Sequence, residues 1–251
     1  MINDLTEYER AVFLGLQRKY TDDGGRDSAG NPMNPNYNPS VIVSCNSLRL
    51  ESANLGTQAN VKFAINDTDA SVTQSNTEMR LKTTDQFVQT RQRMYIMKVA
   101  SGGARISTQL RTYPNVKIFT AANESANLNA LYGGYFQFEI GSTVKYPNIM
   151  ALDFLKVPQF QELMTNVTAL LAPYTAGGWD RDPFIGNEDT IRMLNPNYKW
   201  SGNEKNYINL YLDQAGDALA MAGGAGTNNV VVIYLDGFLI QNVNTDKTNA
   251  H

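Results

Sequence analysis

Residues 128–161, LNALYGGYFQFEIGSTVKYPNIMALDFLKVPQFQ, constrain this chain most, because three strand signals, two turns and two helix junctions fall within one short span. A short helix over residues 123–132, with Asn123 at its N-cap and Leu128, Leu131 and Tyr132 facing inward, ends at Gly133-Gly134. Tyr135, Phe136, Phe138 and Ile140 then predict an aromatic strand, Gly141-Ser142 a turn, and residues 143–146 the returning arm. Pro147-Asn148 breaks that arm, residues 151–157 resume as a third strand, and Pro158 opens a helix over 159–172. The span reads as a meander between helices and contains no catalytic motif.

The same alternation recurs on both sides of it. Short β-segments are expected at 41–44, 48–50, 61–65, 79–81, 94–99 and 116–119, each bounded by turn formers such as Asn66-Asp67 and Ser101-Gly102-Gly103. Toward the end, 207–212, 230–235 and 239–243 read as strands, the last two joined into a hairpin at Asp236-Gly237 because Asp-Gly supplies the backbone that a tight turn demands. Residues 215–226 are small and glycine-rich and read as a loop or a weak helix. The fold class is mainly β: a jelly-roll-type antiparallel β-sandwich, single and elaborated or double, with a few short helices.

Residues 5–20 predict an amphipathic N-terminal helix with Leu5, Tyr8, Val12 and Leu16 on one face and a capping-box pair at Thr6 and Glu9. Gly15 weakens it by about 1 kcal/mol relative to Ala, so it needs a surface to lie on, its own core or another subunit. Residues 21–39 are almost pure turn formers and read as a flexible arm, which divides the chain into an arm with its helix (1–39) and a sandwich (40–251). The four apolar helix residues are therefore candidates for an assembly interface.

Charge and composition narrow the chemistry. The net charge is −3, which argues against a dedicated nucleic-acid binder. Residues 78–117 nevertheless hold eight basic side chains against two acidic ones, so Arg80, Lys82, Arg91 and Arg93 read either as a solvated face or as a surface toward a polyanion or an acidic partner. The only histidine is His251, which removes Ser-His-Asp, Cys-His and most zinc arrangements. Cys45, the single cysteine, excludes an internal disulfide and sits in a strand-like run as a small core residue. No run approaches the roughly 18 apolar residues of a membrane span, and MINDLTEYER lacks a secretory pattern.

Residues 173–202 read as one long loop carrying Trp179, Trp200, Asp180 and Asp182. Tryptophans with nearby carboxylates suit a glycan-binding loop, or a glycosidase acid pair; the plainer alternative is aromatics that pin the loop to the sandwich. No cofactor or metal is expected, and no enzyme.

The span LNALYGGYFQFEIGSTVKYPNIMALDFLKVPQFQ resembles a segment of virion structural proteins of bacteriophages, especially those of Bacteroidetes hosts. In these proteins a helix ending in a Leu-Tyr-Gly-like turn precedes an aromatic strand and then a strand ending near Val-Pro and Gln. The resemblance implies a capsid shell, decoration or related head protein, assembled in the host cytoplasm and located in the virion. Its partners would be copies of itself, as a trimer or larger, and other virion proteins, with the packaged genome or an acidic partner as the two options for the basic face. The runner-up is a glycan-binding β-sandwich using Trp179 and Trp200.

Overall fold

Two long strand-forming runs build the centre of the molecule. In the computed structural model, which describes residues 5–67, 77–105, 110–115, 118–141, 143–156, 191–212 and 219–243, both form single strands of 15 residues: β4 (Gln86–Ala100) and β11 (Thr227–Gln241). The other elements are α1 (Glu7–Thr21), β1 (Ile42–Glu51), β2 (Thr57–Gln58), β3 (Asn60–Ala64), β5 (Leu110–Arg111) and α2 (Glu124–Gly133). After α2 come β6 (Tyr135–Ile140), β7 (Thr143–Met150), a 3-10 turn (Ala151–Phe154), β8 (Arg192–Ser201), β9 (Asn206–Tyr211) and β10 (Leu219–Ala220). No helix among the described residues is long and apolar enough to cross a membrane.

The strands form two antiparallel sheets and a small β2–β10 ribbon. The first sheet runs β1-β11-β4, with β5 and β8 both on the far side of β4; the second runs β3-β9-β6-β7. Numbering only the eight principal strands in chain order, the pairing is nested. The first pairs with the eighth (β1·β11), the second with the seventh (β3·β9), the third with the sixth (β4·β8) and the fourth with the fifth (β6·β7). Successive nested pairs fall alternately in the first and second sheet, and β11·β4 and β9·β6 stitch them together. The result is a β-sandwich.

The main core lies between the sheets. Leu48, Leu50, Phe87, Met94, Ile96, Val231, Ile233 and Leu235 point inward from the first sheet, against Val61, Phe63, Phe136, Phe138, Ile208 and Leu210 from the second. This is the period-two alternation of half-buried strands. Leu128, Leu131 and Tyr132 of α2 and Phe154 of the 3-10 turn join the same cluster, with Phe136 and Phe154 edge to face at 5.6 Å. The outer face of the first sheet is also covered. Tyr95, Met97, Val99, Leu110, Val230 and Val232 form one satellite cluster there, and α1 covers the other end.

Several expectations are corrected. Asp236-Gly237 is no hairpin turn: β11 runs straight through it, because β1 and β4 flank both halves of the run and a turn would forfeit one of the two ladders. Gly237 is needed for a different reason, since a Cβ there would run into the Val88 carbonyl oxygen. The segments expected at 41–44 and 48–50 are one strand, β1. Pro147 does not end its strand. β7 continues to Met150 past a register shift opposite Phe136/Phe138, on the edge of its sheet, where a missing N–H costs no ladder bond. Residues 151–154 make a 3-10 turn and not the third strand of a meander, and Ile118-Phe119 lie in a turn.

Residues 192–201 of the supposed long loop form β8. Asn123 precedes α2 with φ 60 and its side chain makes no cap hydrogen bond; the Glu124 carboxylate instead ties down the preceding turn by accepting the Ala121 N–H at 2.9 Å. The helix expected at 159–172, Trp179, Asp180, Asp182 and His251 lie outside the described residues.

Candidate functional site

β4 carries one residue more than its partner needs. Gly237 pairs with Gln89 and Asp236 with Arg91, which leaves Thr90 as a bulge. Side chains alternate faces along a strand, so an extra residue turns two consecutive ones to the same side. Thr90 and Arg91 both reach the outer face and both bind Glu9 of α1. The Thr90 hydroxyl donates to Glu9 Oε1 at 3.0 Å, Arg91 Nε donates to Oε1 at 2.6 Å, and Arg91 Nη2 donates to Oε2.

Glu9 is 1% exposed and is also the third residue of the capping box: the Thr6 backbone N–H donates to Oε2 at 3.0 Å and the Thr6 hydroxyl at 2.9 Å. Burial pushes the carboxyl up, but the Arg91 hydrogen bond and those from Thr6 outweigh it and hold its pKa at about 2.

Next to this pair, Arg93 Nε and Nη2 donate to Asp236 at 2.8 and 2.6 Å, and the Ser47 hydroxyl donates to the same carboxylate at 2.5 Å. A groove of about 300 Å³ runs over these groups, walled by Leu5 and closed by Ile191 and Phe238. Its two guanidiniums are matched by its two carboxylates. Burial, and then the Glu9 charge, push the Cys45 thiol up at one end, so it is a poor nucleophile. The arrangement fastens a helix to a sheet. Among the described residues no group of three or more His, Cys, Asp or Glu side chains could hold a metal ion.

The assembly face expected at Leu5, Tyr8, Val12 and Leu16 is used mostly inside the subunit. Leu5, Val12 and Leu16, with Phe13, pack on Val41, Val88, Phe238 and Ile240, and Phe13 meets Phe238 at 5.4 Å. Tyr8 stays exposed. The arm is irregular but knit together. Asn34 Nδ2 donates to the carbonyls of Arg18, Lys19 and Asp22 at the end of α1, and Asp22, Asp23, Asp27 and Asn38 each accept a nearby backbone N–H.

Of the cationic residues, Arg80 sits on Glu78 at 2.9 Å, Arg91 on Glu9 and Arg93 on Asp236, while Lys82 is exposed. Further along, Lys98 binds Glu124 at 2.8 Å and Arg105 binds Glu51 at 2.9 Å. The face expected to meet a polyanion is thus matched by the chain's own carboxylates at three of its four positions. Trp200, expected to stack a sugar, is 0% exposed; it donates from Nε1 to Gln89 Oε1 at 2.8 Å and lies edge to face on Phe138 at 5.3 Å.

The outer face of the second sheet carries no described helix. Register places its outward side chains in three rows across the strands: Asn60–Tyr211–Tyr135–Met150, Lys62–Asn209–Gln137, and Ala64–Tyr207–Glu139–Val144. Tyr135 and Tyr211 stack at 5.3 Å, and the Lys62 ammonium lies 3.4 Å from the centre of the Tyr207 ring. Ala64 and Tyr207 are buried, whereas Asn60, Lys62, Val144 and Met150 are exposed. This face was absent from the candidates read from sequence, although Tyr-x-Asn-x-Tyr in β9 and Tyr-x-Gln-x-Glu in β6 hold the signal as alternation with the apolar core residues. No family model, no curated protein and no solved structure matches the chain.

Proposed function

We propose that the chain is a structural subunit of a bacteriophage virion, a capsid shell or capsid-associated protein that acts through repeated protein–protein contacts and catalyses no reaction. We read the sandwich as one jelly roll. Nested pairing of first strand with eighth, second with seventh, third with sixth and fourth with fifth is the pattern left by rolling an antiparallel ribbon so that successive pairs fall in alternate sheets. That pairing carries the reading, because eight-stranded jelly rolls are an architecture of capsid subunits and of lectins.

Two features favour the capsid side. Trp200 is a core residue and offers no ring to a sugar. The segment that resembles virion proteins also supplies most of α2, with β6 and β7, hence half of the sheet whose outer face carries no described helix and presents the stacked pair Tyr135 and Tyr211, a residue type enriched at protein interfaces. Its partners would be copies of the chain and other proteins of the virion, where it would reside.

Sedimentation velocity over a wide concentration range, with electron microscopy of the heaviest fraction, tests the proposal. Trimers or larger closed assemblies independent of any ligand are expected. A monomer at every concentration that binds a glycan would overturn it in favour of the lectin reading.

A further inference from the structure

Resting on the reading of the chain as a self-assembling subunit, we propose that the outer face of the second sheet docks on the same face of a second copy, about a two-fold axis running roughly along the strands between β9 and β6. Such an axis exchanges the two sides of the sheet and keeps each row opposite its own counterpart. β9 then lies over the partner's β6, and β3 over the partner's β7.

The rows fit themselves under that operation. Tyr211 faces Tyr135 of the partner subunit, extending the stacked pair at 5.3 Å into a cluster of four rings. Asn209 faces Gln137 of the partner subunit, two amides that can each donate and accept. The face has one described cation and one described anion, and their placement decides the matter. The Lys62 ammonium does not stand over its own strand but leans onto the Tyr207 ring, 3.4 Å from its centre. Tyr207 is the cross-strand neighbour of Glu139, so the same axis brings Glu139 of the partner subunit directly above that ammonium, and does so twice. An isologous contact requires this kind of self-complementarity, and a face with a single cation and a single anion on opposite sides of its midline meets it.

With strands spaced about 4.8 Å apart and outward rows about 6.8 Å apart, the patch covers roughly 400 Å² per copy. Two such patches bury about 800 Å², at the weak end for a specific contact, which suits one interface among several in a repeated array.

The test is a charge exchange in the full-length chain, read by sedimentation velocity with thermal melts to verify folding. Lys62→Glu and Glu139→Lys each set like charges against one another in both halves of the contact. Each is expected to raise the dimer dissociation constant roughly tenfold or more. The double variant Lys62→Glu/Glu139→Lys restores opposite charges and is expected to recover most of the affinity. Tyr211→Ser reads the same contact without a charge change and is expected to weaken it too.

Single variants that dimerise like the wild type, or a double variant no better than either single one, would overturn the proposal. Assemblies that form and persist through every variant would refute this face while leaving the virion reading standing. A monomeric wild type at every concentration would overturn this contact and, with it, the self-assembling shell form of the virion reading.

Discussion

The Glu9 carboxylate and the Arg91 guanidinium form a two-point ion pair that joins the first turn of α1 to the bulge of β4. The same carboxylate caps its own helix, so one side chain both starts α1 and seats it. Glu9→Gln keeps the shape and part of the cap but leaves Arg91 half-buried without its anion. It is expected to destabilise by about 2 kcal/mol, below the range for a fully buried pair because Arg91 retains some water. Thr6→Ala removes only the cap and is expected to cost about 1 kcal/mol. Urea melts of both variants check the order, and hydrogen exchange should show faster opening of α1 in Glu9→Gln than in Thr6→Ala.

Acid should loosen the same joint. The Glu9 carboxyl is held at about 2 in the folded chain against about 4.5 for an ordinary glutamate, so the unfolded state takes up the proton first as pH falls. Its stabilising contribution is complete above about pH 4.5 and is lost as pH falls toward about 2. Glu51, buried but bonded to Thr77 and Arg105, and Glu124, buried but bonded to Lys98 and Asn229, are also held low and contribute with the same sign. Unfolding free energy measured from about pH 6 to about pH 2.5 should fall steadily, and less steeply in Glu9→Gln than in the wild type.

Cys45 reports on the groove. Burial and the Glu9 charge hold its thiol in the protonated form, so iodoacetamide should alkylate it slowly near neutral pH. Glu9→Gln removes the charge and loosens the helix over the groove. Alkylation should then accelerate several-fold, a change that mass spectrometry follows directly.

Two glycines should respond to alanine in opposite directions. Gly15 lies on the exposed side of α1, where an added Cβ meets nothing within 4 Å, so Gly15→Ala should stabilise by about 0.5–1 kcal/mol. At Gly237 the Cβ would collide with the backbone carbonyl of Val88, in a strand bonded on both sides, and Gly237→Ala should destabilise by about 3 kcal/mol. Melting temperatures of the two variants on either side of the wild type are the expected result.

Trp200 should behave as a core residue. Trp200→Phe keeps most of the apolar volume but leaves Gln89 Oε1 without its donor, for a cost of about 2 kcal/mol. Trp200→Ala opens a cavity and should cost about 4 kcal/mol. Neither change should alter self-association measured on the folded fraction, because the ring reaches no surface.

What could be read from the residues alone was local. The capping box at Thr6 and Glu9, the apolar stripe of α1, the aromatic strand 135–140 and its return after Gly141 follow from periodicity and turn chemistry over a few positions, as does the mainly β class. Everything that depended on a distant neighbour was open. Asp236-Gly237 is as good a turn as it is a point of close backbone approach, and only the two strands flanking it decide for the latter. The excess of cations in residues 78–117 is real, yet Glu9, Asp236, Glu51 and Glu124 meet it across long stretches of chain, so a charge count along the sequence cannot tell a bare face from a matched one.

The sequence by itself determined which side chains alternate and where helices begin, because hydrogen bonds and side-chain period act within a turn or a strand. Only the tertiary structure decided which face of each sheet is covered. Cover depends on loop closure, on a single bulged residue at Thr90 and on the order in which strands meet, none of which leaves a local mark.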